Sequence, residues 1–296
     1  MAATHDGESD RGRVSDVAGA SQAARARPAA DALGALVNPR AWRTRGPLWD
    51  TISVAGDPAR VIALQLPGNP LDASWDERVL RPAISACART APAGAAPPLL
   101  IAWSGTFADA LFGGDMRNWM RPGWDALQQR LDSWRTTLEG AGVRLALHPH
   151  ATHLLSDVAG AMRLLVDRAD QPFAVICAPA ALLTPEMLGD GTREGTRGRI
   201  AEARDVREHL LRALSVLGPR TPLCVLQDVR IAGGTRDRLA DAHARGRGAD
   251  AADRRSDDAG DSALEPCAPG TGALPWDALM ALVSEHVPPH VPILPE

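Results

Sequence analysis

Three observations predict an α/β fold with a largely parallel sheet. The chain has 296 residues, 45% of them hydrophobic, which is enough to build the core of one large domain. Short apolar runs alternate with helical patterns, as in right-handed βαβ units. No Gly-x-Gly-x-x-Gly follows any of these runs, which weakens a nucleotide-binding interpretation, and an open doubly wound sheet stays an alternative to a barrel.

Strands are predicted where short apolar runs stand between turn residues, as expected for strands buried on both faces. Thr51–Ala55 is a weaker candidate than the others. This makes about seven strands, whereas a (β/α) barrel needs eight. One strand is therefore degenerate, missing, or present but not recognisable within residues 36–56. The stronger candidates are Arg60–Leu66, Pro98–Trp103, Val143–Leu147, Phe173–Cys177, Pro222–Leu226 and Val291–Leu294.

Amphipathic helices are predicted between the strands, because apolar residues recur there every three or four positions. Gly142 is expected to end the first of these helices. The apolar stripes are Trp124, Leu127, Leu131, Trp134 and Leu138; Val158, Met162, Leu165 and Val166; Val206, Leu210, Leu214 and Leu217; and Leu279, Leu282 and Val283.

Composition divides the chain into one domain with two polar segments. Residues 1–35 are polar and rich in Ala and Arg, which predicts a disordered N-terminal tail. Residues 36–296 are predicted to form a single α/β domain. Within it, residues 233–271 combine mixed charge with Gly and almost no large apolar side chains, which predicts a disordered insertion.

Composition also excludes some functions. The sequence contains neither Lys nor Tyr, so Schiff-base, pyridoxal-phosphate and P-loop lysine chemistry are ruled out. A formal charge of -4 argues against a nucleic-acid partner. No apolar run has the length of a membrane span, and no secretory signal is evident. Four scattered cysteines indicate free thiols and favour a cytoplasmic location.

The most informative segment runs from Val143 to His153, where an apolar run ends in His148-Pro-His150. Polar side chains at the C-terminal end of a buried strand are typical of a barrel active site. This segment resembles the fifth strand of xylose isomerase-like TIM barrels, the sugar phosphate isomerase/epimerase superfamily, where the pattern ends in Glu-Pro-His. The resemblance implies a TIM-type (β/α) barrel, either incomplete or with one degenerate strand.

The family binds one divalent metal through a Glu, an Asp, a His and a Glu at four strand ends, and the resemblance maps those positions onto this chain. His148 stands at the first Glu, Ala178 at the Asp and Val225 at the His, while Glu296 matches the final Glu. The resemblance therefore implies Mn²⁺ or Mg²⁺, with weak binding by His148 and Glu296, since Ala178 and Val225 cannot bind a metal.

Other strand-end residues match the family pattern. Asp228 and Arg230 persist after the strand that ends at Leu226, and Trp103 ends the run Pro98–Trp103. The resemblance implies catalytic roles for His148, Asp228 and Glu296, and ligand contacts for His150, Trp103 and Arg230. Because all of them follow strand ends, we expect His148, Asp228 and Glu296 to lie at one end of the sheet.

These residues leave several functions open. One is an isomerase or epimerase acting on a sugar or small polyol through a degraded metal site. A second is a non-catalytic barrel that binds a small carbohydrate-like molecule or a protein. A third is a metal-dependent hydrolase that uses a cluster of His148, His150 and His153. The sequence leaves oligomerisation open.

Overall fold

The computed structural model of the protein describes residues 40–90, 98–188, 203–231 and 264–296. The predicted tail and residues 233–263 of the predicted insertion lie outside these ranges. The strands are β1 Ala41–Thr44, β2 Asp50–Val54, β3 Asp57–Gln65, β4 Leu99–Trp103, β5 Leu145–His148, β6 Phe173–Val175, β7 Cys224–Leu226, β8 Asp228–Ile231, β9 Leu264–Cys267 and β10 Ile293–Pro295. The α-helices are α1 Arg81–Thr90, α2 Arg121–Ala141, α3 Val158–Asp167, α4 Ala203–Leu217 and α5 Trp276–His286. Short 3₁₀ or π turns are Asp76–Leu80, Met116–Trp119, Pro179–Leu182, Pro185–Leu188 and Gly218–Arg220.

The first six strands form one sheet in chain order. The β1, β2 and β3 strands pair antiparallel as a meander, and β3 to β6 are parallel, with helices in their connections. The β7 and β10 strands form a separate parallel pair. This arrangement confirms the α/β fold with a mostly parallel sheet.

The two sheets are joined at two seams, which are places where one bridge replaces a continuous ladder. Cys177 bridges Cys224 between β6 and β7, and Arg40 bridges Ile293 between β10 and β1. Eight strands therefore follow one another around a TIM-type (β/α) barrel whose hydrogen-bonded ladder is not closed. The strand not identified in the sequence is β1, which lies within residues 36–56 as expected.

The barrel strands separate two apolar cores, because successive side chains point to opposite faces of a strand. The outer core lies between strands and helices and includes Leu100, Leu145 and Leu147. The inner core fills the barrel and is rich in small side chains. Its buried members are Ala41, Ile52, Ala63, Ile101, Ala146, Ala174, Ile176, Ala178, Ala181, Leu223, Val225 and Leu294.

The helices lie where the apolar stripes predicted them, with one correction. The α2 helix buries Leu127, Leu131, Trp134 and Leu138, and it ends at Gly142, which has a φ of 64°. The predicted stripe of α3 was wrong in part. Val158 is buried and Leu165 packs against the core as predicted, but Val166 is 61% exposed, and Ala161 and Leu164 complete the buried face. A short helix with apolar residues on several sides offers two stripes, and packing selects one.

A hairpin of β8 and β9 extends beyond β7, with Asp228 opposite Cys267 and Ile231 opposite Leu264. The β9 strand lies inside the segment 233–271 that was predicted as an insertion. No helix of the described ranges combines the length and apolar character that crossing a membrane requires.

Candidate functional site

The polar ends of the barrel strands define a site that we call the mouth. Each of its residues lies two positions from an inner-core residue along a strand or its direct extension, so strand alternation directs its side chain inward. Most lie at C-terminal strand ends, and Asp50 begins the antiparallel β2, which brings it to the same end. The mouth consists of Arg43, Asp50, Gln65, Trp103, His148 and Glu296.

One half of the mouth carries charge. Arg43 donates through Nη2 to the Glu296 carboxylate, and its Nη1 lies 4.0 Å from Asp50 Oδ2. Arg43 and Asp50 each expose 26% of the side chain and Glu296 exposes 20%, so water reaches this half. Burial raises the pKa of Glu296 above its ordinary value, and the Arg43 charge opposes that rise.

Trp103 and His148 form the other half of the mouth and pack with His150 and His153. His148 and His153 are buried, whereas Trp103 and His150 are half-buried. The Trp103 ring stacks on His148 with centroids 4.1 Å apart, and His150 and His153 approach its ring edge-on. Phe112 covers this group, stacking on His153 at 5.6 Å. Trp103 is therefore a packed side chain with one face against an imidazole. The face that touches His148 is closed to a sugar ring.

Burial keeps the three imidazoles neutral. It lowers the pKa of His148 well below its usual range, helped by the nearby Arg43 charge. It lowers the pKa of His150 to about 4 and that of His153 to about 3. His153 Nε2 donates to the carbonyl of Leu111 at 2.6 Å. His150 Nδ1 lies 3.0 Å from Thr152 Oγ1 and accepts from Thr152 N at 3.3 Å, so it acts as an acceptor.

Five buried polar atoms of the mouth have no hydrogen-bond partner among the described residues. They are Arg43 Nε, both amide atoms of Gln65 and both ring nitrogens of His148. Gln65 is only 7% exposed and His148 only 2%. Buried polar groups are satisfied in almost all folded proteins, so this concentration marks a place prepared for water or a ligand.

The two positions that lack family ligands belong to the inner core. Ala178 and Val225 are each 1% exposed and pack with Ile176 and Leu223. Both positions are therefore filled by apolar packing and offer no metal donor.

Two other predicted site residues are used elsewhere. Asp228 and Glu296 lie at the same end of the barrel, but Asp228 is one position past the inward-facing Gln227, so its side chain faces away from the mouth. Its fully buried carboxylate accepts from the backbone N–H groups of Val229, Gly272 and Leu274 at 2.8, 2.8 and 3.1 Å. This carboxylate anchors the base of the hairpin.

Glycine is required where that anchor meets the chain. A Cβ at Gly272 would lie 2.4 Å from Asp228 Oδ1, so a larger residue would displace the carboxylate. Arg230 also lies on the hairpin, where its exposed side chain donates to Glu265 Oε2 at 3.2 Å. Neither Asp228 nor Arg230 contacts the other predicted site residues.

The residues of the mouth do not fit a divalent metal of the kind the family binds. Glu296 is paired with a guanidinium, and Ala178 and Val225 offer no donor. Within the described ranges, no three side chains of His, Cys, Asp or Glu are grouped so as to hold a metal ion. This includes His148, His150 and His153, whose rings are interleaved with Trp103 and Phe112.

A cavity of about 220 Å³ lies at the opposite end of the barrel, near the N-terminal strand ends. Ala63, Leu99, Arg144 and Leu223 contribute to its lining. It is distant from the mouth along the strands and contains none of the predicted site residues.

Sequence reasoning missed three members of the mouth, Arg43, Asp50 and Gln65. The sequence did contain a signal for Gln65, because this polar residue interrupts the apolar run 61–66 one position before the run ends. Arg43 and Asp50 carried no such signal, since the short β1 was not identified and β2 runs in the reverse direction.

Comparison with known proteins gives a limited result. No family model matches the chain, and no curated protein matches it. Its structure is similar to the crystal structure of a xylose isomerase-like TIM barrel protein from Mycobacterium smegmatis in complex with magnesium, with a TM-score of 0.43 and 12% identity. The match covers 79% of this chain and 65% of that one.

Proposed function

We propose that the protein binds a small, uncharged, hydroxyl-rich molecule, a sugar or polyol, at the mouth of the barrel. The observation that carries this proposal is the set of unpartnered buried atoms on Arg43, Gln65 and His148. They come from three different strands and share one end of the barrel. Leaving buried polar atoms unpaired costs about 1–3 kcal/mol for each group, so a ligand or ordered water that satisfies them is strongly favoured.

The chemistry of these atoms suits hydroxyl groups. A neutral imidazole and a carboxamide each offer both a donor and an acceptor, and Arg43 Nε–H adds a donor. A hydroxyl group can donate and accept, so one polyol can satisfy all of them. His148 remains neutral because burial lowers its pKa.

Charge favours an uncharged ligand over a phosphorylated one. The Arg43 guanidinium already faces two carboxylates, Asp50 and Glu296. A phosphate in the mouth would meet that excess of negative charge. We therefore expect neutral sugars or polyols to bind better than their phosphate esters.

The same residues support binding without metal-dependent isomerisation. In such isomerases the metal polarises a carbonyl while a carboxylate moves a proton. Here two metal-ligand positions are apolar, and Glu296 is held by Arg43. Asp228, the other candidate acid or base, is occupied by three backbone amides.

Titration calorimetry with a panel of pentoses, hexoses and polyols, together with their phosphate esters, tests the proposal. We expect Gln65→Leu or His148→Phe to weaken binding of a neutral ligand by about tenfold or more. The matched controls are Gln129→Leu and His290→Phe, two exposed positions outside the mouth. Tighter binding of the phosphate esters, or binding unaffected by both mouth variants, would contradict the proposal. Turnover of an aldose to a ketose with added Mn²⁺ would contradict its non-catalytic part.

A further inference from the structure

We propose that Arg43 is a built-in cation that occupies the electrostatic place of a metal ion, so that the mouth excludes divalent metals until that guanidinium is removed. The inference rests on the proposed function only in placing the binding site at the mouth. It does not depend on which ligand binds there.

The Arg43 guanidinium lies beside both carboxylates of the mouth. It contacts the Glu296 carboxylate through Nη2, and its Nη1 lies 4.0 Å from Asp50 Oδ2. Its charge also reaches the buried ring of His148. Two carboxylates therefore flank a single positive group, and the ring of His148 lies near enough to feel its charge.

The groups around Arg43 are of the types that bind divalent metals. Carboxylate oxygens are the preferred donors for Mn²⁺ and Mg²⁺, and a neutral imidazole is a good ligand for Mn²⁺. The two ring nitrogens of His148 have no partner among the described residues. The donors are thus of the right type, but Arg43 stands among them and they are not already grouped as a metal site.

The net charge of the mouth depends on Arg43. With Arg43 present, the two carboxylates and the guanidinium leave one net negative charge. Without it, two negative charges face each other across the same space, and nothing neutralises them. A divalent cation is repelled by the guanidinium in the first case and attracted by both carboxylates in the second.

The experiment measures binding of MnCl₂ alone to the purified full chain. Titration calorimetry gives the affinity, and the decrease of the electron paramagnetic resonance signal of free Mn²⁺ gives an independent measure. We expect Arg43→Met to bind Mn²⁺ at least about tenfold more tightly than the original protein, because carboxylates are released as ligands. Arg43→Lys keeps the positive charge and should remain like the original protein. Adding Glu296→Gln to Arg43→Met should remove the gain.

The matched control is Arg130→Met. Arg130 pairs with Asp76 at 3.3 Å and is buried to a similar degree, but it faces one carboxylate instead of two. A comparable Mn²⁺ gain in Arg130→Met would overturn the proposal, as would tight Mn²⁺ binding by the original protein. Circular dichroism monitors folding, and Arg43→Gln replaces Arg43→Met if the latter does not fold.

Failure of both neutral variants to fold would also overturn it, because the guanidinium would then be a structural requirement. Polyol binding is measured separately on the original protein. If the original protein binds polyols but Arg43→Met does not bind Mn²⁺ more tightly, this inference alone is refuted.

Discussion

The half of the mouth formed by β10, β1 and β2 handles its polar groups differently from the half formed by β4 and β5. In the first half, Arg43 pairs with Glu296 and lies 4.0 Å from Asp50, and each of these side chains is between 20% and 26% exposed. In the second half, the three histidines stay neutral because burial beside Trp103 and Phe112 lowers their pKa. One barrel end therefore combines a partly solvated ion pair with a group of neutral imidazoles.

The largest expected effect comes from acidifying the uncharged half. The pKa values of His150 and His153 in the folded protein, about 4 and about 3, lie below the ordinary value of 6.5. Below pH 6.5 the unfolded chain therefore binds more protons, and stability is lost as the pH falls toward the folded values. At about pH 5, His150 and His153 should each lower the free energy of unfolding by about 2 kcal/mol, or by about 4 kcal/mol together.

Urea unfolding at neutral pH and at pH near 5 checks this loss. His153→Phe should reduce the difference in unfolding free energy between the two pH values by about 2 kcal/mol, whereas the exposed control His290→Phe should leave it unchanged. A protein whose unfolding free energy is flat over this interval would show that water or charge reaches the histidines, and the contrast between the halves would disappear.

The next effect comes from removing the ring that holds the uncharged half together. Trp103→Ala should lower the free energy of unfolding by about 3 kcal/mol, because it leaves a cavity among Phe112 and three imidazoles. Trp103→Phe should lower the free energy of unfolding by less, because it keeps an aromatic ring at this position. Trp119→Ala is the matched control, since Trp119 is 56% exposed; equal losses at both positions would contradict the packed role of Trp103.

The smallest effect is expected in the charged half. Arg43→Met, Glu296→Gln and the double variant form a cycle whose coupling free energy should be about 1 kcal/mol, because the pair is partly solvated. High salt should reduce this coupling. A coupling of several kcal/mol that salt does not change would mean that water is excluded from this half as well.

The sequence predicted most of the barrel because its strands are continuous apolar runs. The predicted run 143–147 differs from β5 by two residues at its start and one at its end, and 222–226 differs from β7 by two residues at its start only. By contrast, β1 reads Ala-Trp-Arg-Thr, in which one inward apolar residue precedes one inward charge. So short an alternation cannot be distinguished from a loop without its partners.

The site was less predictable than the fold. His148 and Glu296 were found because they end recognisable strands, and the structure brings both to the mouth. Asp228 also follows a strand end, two residues past Leu226, but its neighbour Gln227 takes the inward position. A shift of one residue therefore turns the Asp228 side chain away from the mouth. The pairing of Arg43 with Glu296 joins positions 253 residues apart, and no local pattern encodes it.

The two seams give the barrel a modular construction. One arc is built by residues 40–188 and the other by residues 203–231 and 264–296, and single bridges join them at Cys177–Cys224 and Arg40–Ile293. The Arg43–Glu296 ion pair spans the second junction. A molecule held in the mouth would therefore act as a clamp between two fragments, and a chain cut between residues 189 and 202 should reassemble from its halves more readily when the ligand is present.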